Sequence, residues 1–308
     1  MTRLLPAMLL AAAAVVPMQP SQSPAARGVT QLQIDAVAVD RKGTPVVDLK
    51  PEELEVWIGH FRVPIDTFTV VTPATDAGRL IVLILDDVTV PPVNGARGKE
   101  AARRFVNRML PGDRMAVVTL NGSNMESTDD KARLLRMIDG APLQAAGTIP
   151  IDRLGEHVLQ TVSALSRQMA EASDRRKTIV AIGSGWLFDR PIPPPAVGMD
   201  PRKEWVAAMQ AMAASNVNLY VIDPGGLGAR SADSGGASWA RETGGLAFIN
   251  SNDISGAVDR ILAESANYYL LGVGDPPVGR GAELRDVDVR VLRRGVTVRA
   301  RKTIVGGS

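Results

Sequence analysis

The apolar positions of this chain change period twice. From Val29 to Val71 they alternate with polar ones: Leu32, Ile34, Ala36 and Val39 in a first run, Leu54, Val56 and Ile58 in a second, and Val63 to Val71 in a third. Arg41-Lys42-Gly43-Thr44 and Gly59-His60 are turn signals, and Pro51-Glu52-Glu53-Leu54 reads as a single helical turn. Period two with frequent turns predicts four short strands, a β segment over residues 29–72 that is marginal by itself. After a connector at Thr72 to Gly78 the alternation stops. Leu80 to Leu85 is a continuous apolar run that ends abruptly in Asp86-Asp87. Such a run predicts a strand buried on both faces.

Strand and helix patterns then take turns. Helical stripes are predicted at Gly98 to Leu110, after the start signal Ser127-Thr128-Asp129-Asp130, at Ile151 to Ala172, Pro201 to Ala214, Ala237 to Glu242 and Ile254 to Asn267. Between them lie strands at Met115 to Leu120, Lys177 to Gly183, Val217 to Ile222, Leu246 to Asn250 and Tyr268 to Val273. This alternation marks one α/β unit over residues 78–274. Beyond Asp275-Pro276-Pro277 the period returns to two. Val287, Val289 and Val291, the turn Arg293-Arg294-Gly295, and Val296, Val298 and Ala300 predict a hairpin within residues 282–305. The two alternating ends are expected to pair into one small β domain, with the α/β unit inserted between them. The fold class is therefore α/β: a doubly wound, mostly parallel sheet with a small β domain built from both ends of the chain.

Composition narrows the function classes. A 308-residue chain with 45% apolar and 22% charged residues can bury a core, and 4% aromatics makes that core aliphatic. A net charge of +2 with short, dispersed arginine pairs gives no nucleic-acid stripe. No cysteine is present, so disulfides, thiolate metal sites and thiol nucleophiles are excluded. Arg3 followed by the apolar run Leu4 to Val16 and a Pro/Ser-rich stretch has the order of a secretory signal peptide, residues 1–25, and is too short for a comfortable span. The expectation is a secreted or periplasmic protein with no membrane span in the mature chain.

Three stretches carry a resemblance: Val47-Asp48-Leu49-Lys50-Pro51-Glu52-Glu53-Leu54-Glu55-Val56, Asn218-Leu219-Tyr220-Val221-Ile222-Asp223, and Tyr268-Tyr269-Leu270-Leu271-Gly272-Val273 with the hairpin after it. In this order the chain resembles the exported bacterial von Willebrand factor type A-related proteins. That resemblance implies a Rossmann-like, doubly wound sheet used for adhesion and protein binding. It also implies a cation site above the sheet, formed by Asp-x-Ser-x-Ser, a loop Thr and a later Asp. Carried over residue by residue, Asp86 matches the first Asp, and Val88 and Val90 stand where the two serines belong. Thr148 fits the loop Thr, and Ser184 replaces the later Asp.

A hard cation needs oxygen ligands in near-octahedral geometry. Asp86, Thr148 and Ser184 therefore form at most a degenerate metal site, with weak Mg²⁺ or Ca²⁺ binding and no required cofactor. Asp86 reads first as a carboxylate hydrogen-bonded to loop N–H groups; a water-rich metal site and a metal-free ligand contact are the alternatives. Asp87, Thr89, Trp186, Phe188 and Asp223 complete a partner-binding rim. Strict alternation turns Asp87 and Thr89 away from the face that Asp86 takes.

No other chemistry competes. His60 and His157 have no carboxylate at a telling spacing, and Gly183-Ser184-Gly185 lacks the fuller nucleophile-elbow pattern. Gly225-Gly226-Leu227-Gly228 comes late and opens no strong helix. The expected function is non-enzymatic binding of another protein, as an adhesion or scaffold module. The rivals are an accessory subunit or enzyme acting on cell-envelope polymers, and a scaffold with no discrete ligand.

Overall fold

All seven residues of β5, Arg79–Leu85, are buried, and the molecule is layered around them. In the computed structural model, which describes residues 31–75, 78–122, 125–142, 149, 153–172, 175–183, 201–227, 235–274 and 284–305, β5 lies second in a five-stranded sheet. Its neighbours are β6 (Arg114–Thr119) and β7 (Arg176–Ile182), followed by β8 (Val217–Ile222) and β9 (Ala247–Phe248), in the order β6-β5-β7-β8-β9. Every pairing in this sheet is parallel. Leu80, Val82 and Ile84 pack with α3 (Leu154–Met169), α4 (Pro201–Ala214) and α5 (Gly235–Glu242). Ile81, Leu83 and Leu85 pack with α1 (Pro92–Asn107), α2 (Lys131–Gly140) and α6 (Ile254–Ala266). Helices cover both faces, which is why the strand sequences are apolar throughout. The fold is doubly wound.

The helix after β5 lies on one face and the helix after β7 on the other. The sheet's switch point is therefore between these strands, and ligands of open α/β sheets bind in the crevice beyond the strand ends at that point.

The remaining strands form two antiparallel four-stranded sheets. One has the order β12-β1-β10-β4, from Val296–Ala300, Gln31–Asp40, Tyr268–Gly274 and Ile65–Val71. The other has the order β13-β11-β2-β3, from Thr303–Val305, Leu284–Val291, Leu54–Ile58 and Phe61–Val63. They share one core that includes Ile34, Val56, Ile58, Leu271, Val273, Val287 and Val289. Tyr269 ties the intervening segment to it: its hydroxyl donates to the Val46 carbonyl at 2.8 Å and accepts from the Leu49 N–H at 2.9 Å. The two ends of the chain do pair, β12 with β1 and β11 with β2.

Three sequence expectations need correction. The predicted hairpin over Val287 to Ala300 is not a hairpin: β11 pairs with β2 and β13, whereas β12 crosses to the other sheet and pairs with β1. Alternation fixes which face of a strand is apolar but not which strand lies beside it. Likewise β10, read as the last strand of the 78–274 α/β unit, runs antiparallel between β1 and β4. It is covered on both sides, so its apolar run looks the same as that of a parallel strand. Helix α1 also begins at Pro92, six residues before the predicted Gly98. Its first turns hold Gly95 and Gly98, whose lack of side chains hides the apolar stripe from the sequence.

Charged groups join the sandwich to the start of the parallel sheet. Asp35 of β1 accepts from the Asn216 amide at 2.8 Å and lies 4.0 Å from Arg176, whose guanidinium stacks 4.1 Å from the Tyr268 ring centroid. Arg79 is clasped by Asp113 through Nε at 3.0 Å and Nη2, and it donates to the Leu262 carbonyl and Ser265 hydroxyl at 3.0 Å each.

Candidate functional site

The crevice above β5 and β7 begins at Asp86, whose N–H still bonds the Ile182 carbonyl of β7 at 3.0 Å. There the chain leaves the extended conformation. The Asp86 carboxylate is buried and folds back on its own loop. Its Oδ1 accepts from Val88 N–H at 3.0 Å and Thr89 N–H at 2.8 Å, while the Thr89 hydroxyl bonds Oδ2. This is an aspartate-centred turn of the kind that favours Asp after a strand. Both carboxylate oxygens are thereby engaged. The reading of Asp86 as a carboxylate bonded to loop N–H groups matches this geometry.

Asp87 does something else. It is 1% exposed, and its Oδ1 accepts from the Leu120 and Asn121 N–H groups at 2.9 and 3.2 Å. Its Oδ2 accepts from the Asn121 amide at 3.1 Å. The Leu120 carbonyl in turn meets His157 Nε2 at 2.6 Å. Asp87 thus fastens the end of β6, and it offers no surface to a partner. Alternation correctly turned Asp87 away from Asp86. It placed Thr89 wrongly, because the turn returns Thr89 to the Asp86 carboxylate.

Val90 is buried and Val88 packs against the helical layer that contains α3. Neither side chain carries an oxygen, and about 20 Å³ of space lies between Asp86, Val90, Gly98, Ile182 and Pro224, room for one water. Asp223, at the end of β8, is 3% exposed and accepts from the Gly225 N–H at 2.8 Å, shaping the adjoining turn. Thr148, Ser184, Trp186 and Phe188 lie outside the described residues. Among the described residues no three His, Asp or Glu side chains converge as metal ligands. His60 is exposed in the turn between β2 and β3, far in sequence and in fold from His157.

Sequence reasoning missed the outer rim. Val93, in the first turn of α1, is 79% exposed, and Leu227, in the loop after β8, is 66% exposed. The Leu227 N–H donates to Asn252 Oδ1 at 3.1 Å, which ties this loop to the start of α6. Gly226 makes the tie possible. It sits at φ +70°, and a Cβ there would fall 2.4 Å from Asn252 Oδ1 and 2.7 Å from an Arg97 nitrogen. The Gly-Gly-Leu-Gly run carried this signal, since glycines around one apolar residue mark a tight turn that displays it.

Sequence comparison matches the chain to no family profile and to no curated protein. Among solved structures it is similar to the manganese-loaded TRAP protein of Plasmodium vivax, at 12% identity and TM-score 0.41, over 77% of this chain and 96% of that one. It is also similar to the human COPII-coat protein Sec24c, at 10% identity and TM-score 0.39, over 75% of this chain and 44% of that one. A further similarity is to the N-terminal domain of TFIIH p34, at 12% identity and TM-score 0.35, over 61% of this chain and 98% of that one. Among the described residues no helix is long and apolar enough to cross a membrane. By its strand order, its two helical layers and the crevice above β5 and β7, the fold is a Rossmann-like, doubly wound α/β sheet joined to an antiparallel sandwich, consistent with the von Willebrand factor type A-like class expected from the sequence.

Proposed function

We propose that this is an exported, non-enzymatic protein-binding module of the adhesion or scaffold kind, which uses the rim above β5, β7 and β8 without a metal ion. The observation that carries this reading is the state of Asp86: both of its oxygens accept hydrogen bonds from residues 88 and 89. A hard divalent cation takes about six oxygen ligands. In the described rim Asp86 and the Thr89 hydroxyl are bonded to each other, Asp223 is turned to the Gly225 N–H, and the Val88 and Val90 side chains carry no oxygen, so these residues do not fit the ion. The exposed Val93 and Leu227 supply apolar surface at the same rim, of the kind that a partner covers. Export is inferred from the order of charge, apolar run and Pro/Ser stretch at the N-terminus.

The test is capture of envelope proteins by the tagged chain, run in EDTA and in millimolar Mg²⁺, with Val93→Asp plus Leu227→Asp as the comparison. Equal capture under both conditions, abolished by the double substitution, is the expected result. Capture that requires Mg²⁺ would overturn the metal-free reading, and capture indifferent to the double substitution would move the contact off this rim.

A further inference from the structure

A groove of about 560 Å³ runs between α1 and the start of α6, and one of its lining residues, Asn252, holds the loop that carries Leu227. Four arginines line it: Arg97, Arg103 and Arg104 of α1, and Arg108 at its C-terminal cap. Two are already answered. Arg103 is held by Asp139 at 2.6 Å, and Arg104 forms a two-point pair with Asp259 at 3.0 and 2.6 Å. Among the described residues Arg108 reaches only the same Asp259, at 3.4 Å, so two guanidiniums share one carboxylate. Arg97 has no hydrogen bond or ion pair among the described residues. Its guanidinium rests over Gly226, which has no side chain to displace it.

The groove therefore presents two under-compensated cations, eleven residues apart on one helix. At about 1.5 Å per residue they stand roughly 16 Å apart. The upper one lies one turn below the exposed Val93 and beside the loop that displays Leu227. Between and beside the cations are Glu100 and Asp253, the latter committed to the Gly256 N–H at 2.7 Å. Asn107 and Asn252 also line the groove. Acidic side chains inside the groove repel a uniform polyanion such as a phosphate polymer. Amides beside separated cations suit an extended peptide backbone that carries carboxylates at intervals.

We infer that the α1/α6 groove binds an extended acidic segment of a protein partner, with one carboxylate on Arg97, a second on Arg108, and an apolar residue against Val93 and Leu227. The inference rests on the protein-binding reading above and names the partner's chemistry. At about 3.3 Å per extended residue, 16 Å separates acidic residues that are four to six positions apart. Affinity of this kind falls with salt, because the charges are exposed.

The probe is a fluorescein-labelled hexapeptide, Leu-Asp-Ser-Gly-Ser-Asp, titrated with the full chain and followed by anisotropy. The comparison peptide, Leu-Asp-Asp-Ser-Gly-Ser, has the same composition with its acids adjacent. Saturable binding several-fold tighter for the spaced peptide is expected, weakened about fivefold by Arg97→Gln and again by Arg108→Gln. Unchanged thermal melting of both variants shows that they fold. Equal binding of the two peptides, no binding, indifference to both substitutions, or preference for polyphosphate would each overturn the proposal. Loss of the peptide result with rim-dependent capture intact would reject the groove and keep the rim. Loss of both would reject the protein-binding reading itself.

Discussion

Asp86 and Asp87 are neighbours with different duties, and replacing each in turn separates them. Asp87→Ala leaves the Leu120 and Asn121 N–H groups and the Asn121 amide without their acceptor. A buried donor left unpaired costs about 1–3 kcal/mol. Leu120 is 1% exposed and pays in full, while Asn121 is half-buried and recovers part of the loss from water. The expected destabilisation is about 2–4 kcal/mol, which lowers the melting temperature by about 3–7 °C for a chain of this size. Asp87→Asn is far milder, because the Asn oxygen still faces the two N–H groups and the Asn121 amide can turn to meet the new NH₂. Asp86→Ala frees the N–H groups of Val88 and Thr89, both half-exposed at the rim where water replaces the carboxylate, at about 0.5–1.5 kcal/mol. Urea unfolding followed by circular dichroism, with an unchanged m-value, measures all three. Asp86→Ala as damaging as Asp87→Ala, or Asp87→Ala within 0.5 kcal/mol of the parent by the usual range for surface changes, would refute this division of labour.

Three further outcomes are expected. Asp113→Ala strips a side chain that is 1% exposed and accepts from Arg79 N–H and Nε at 3.0 Å and from Leu110 N–H at 2.8 Å; it strands the Arg79 guanidinium and costs about 3–5 kcal/mol in the same urea assay. The Arg293 guanidinium, then the Lys50 N–H, hold the Glu53 carboxyl at about 2, so its contribution is fully present above the ordinary glutamate value and is lost as pH falls toward about 2. The stability difference between the parent and Glu53→Gln should therefore be constant above pH about 5 and close as the pH is lowered, a trend that an acid titration of the urea midpoint reads directly. Finally, millimolar Mg²⁺ or Ca²⁺ should leave the melting temperature unchanged, since no differential binding means no shift; a concentration-dependent rise would restore a cation site at Asp86.

Most of the α/β layer could be read in the sequence because β5, β7 and β8 are buried on both faces, and burial on both faces writes an uninterrupted apolar run. Pairing of the chain ends was also legible, because two segments of period two with one apolar face each need a common partner. What the sequence hid was adjacency. The residues 287–300 pattern is the same whether its halves pair with each other or lie in facing sheets, and only the register of β11 on β2 and β12 on β1 decides it. At the rim, alternation held for one residue and then failed. It separated Asp86 from Asp87, but the Asp86 carboxylate bends the next three residues into a turn, and period-two reasoning has no meaning there. Val93, Leu227 and Arg97 were invisible for a different cause: each depends on how α1, α6 and the loop after β8 meet, a contact between segments far apart in the chain.

The carboxylates sort by the end of the sheet they occupy. In a parallel sheet all strands begin at one end, so Arg79 and Arg176 open β5 and β7 together, with Asn216 just ahead of β8. At that end Asp113 answers Arg79, and Asp35 reaches in from the sandwich toward Arg176 and Asn216. The four charged groups are buried, and removing one partner leaves a buried charge unpaired, which makes the junction intolerant of change. Asp86, Asp87 and Asp223 lie at the opposite end, about 20 Å away at roughly 3.3 Å per residue. There each carboxylate bonds backbone N–H groups and sets the shape of a loop. Sites that far apart with no shared partner act independently. The junction can therefore hold the sandwich fixed while exposed residues at the far rim change without disturbing it.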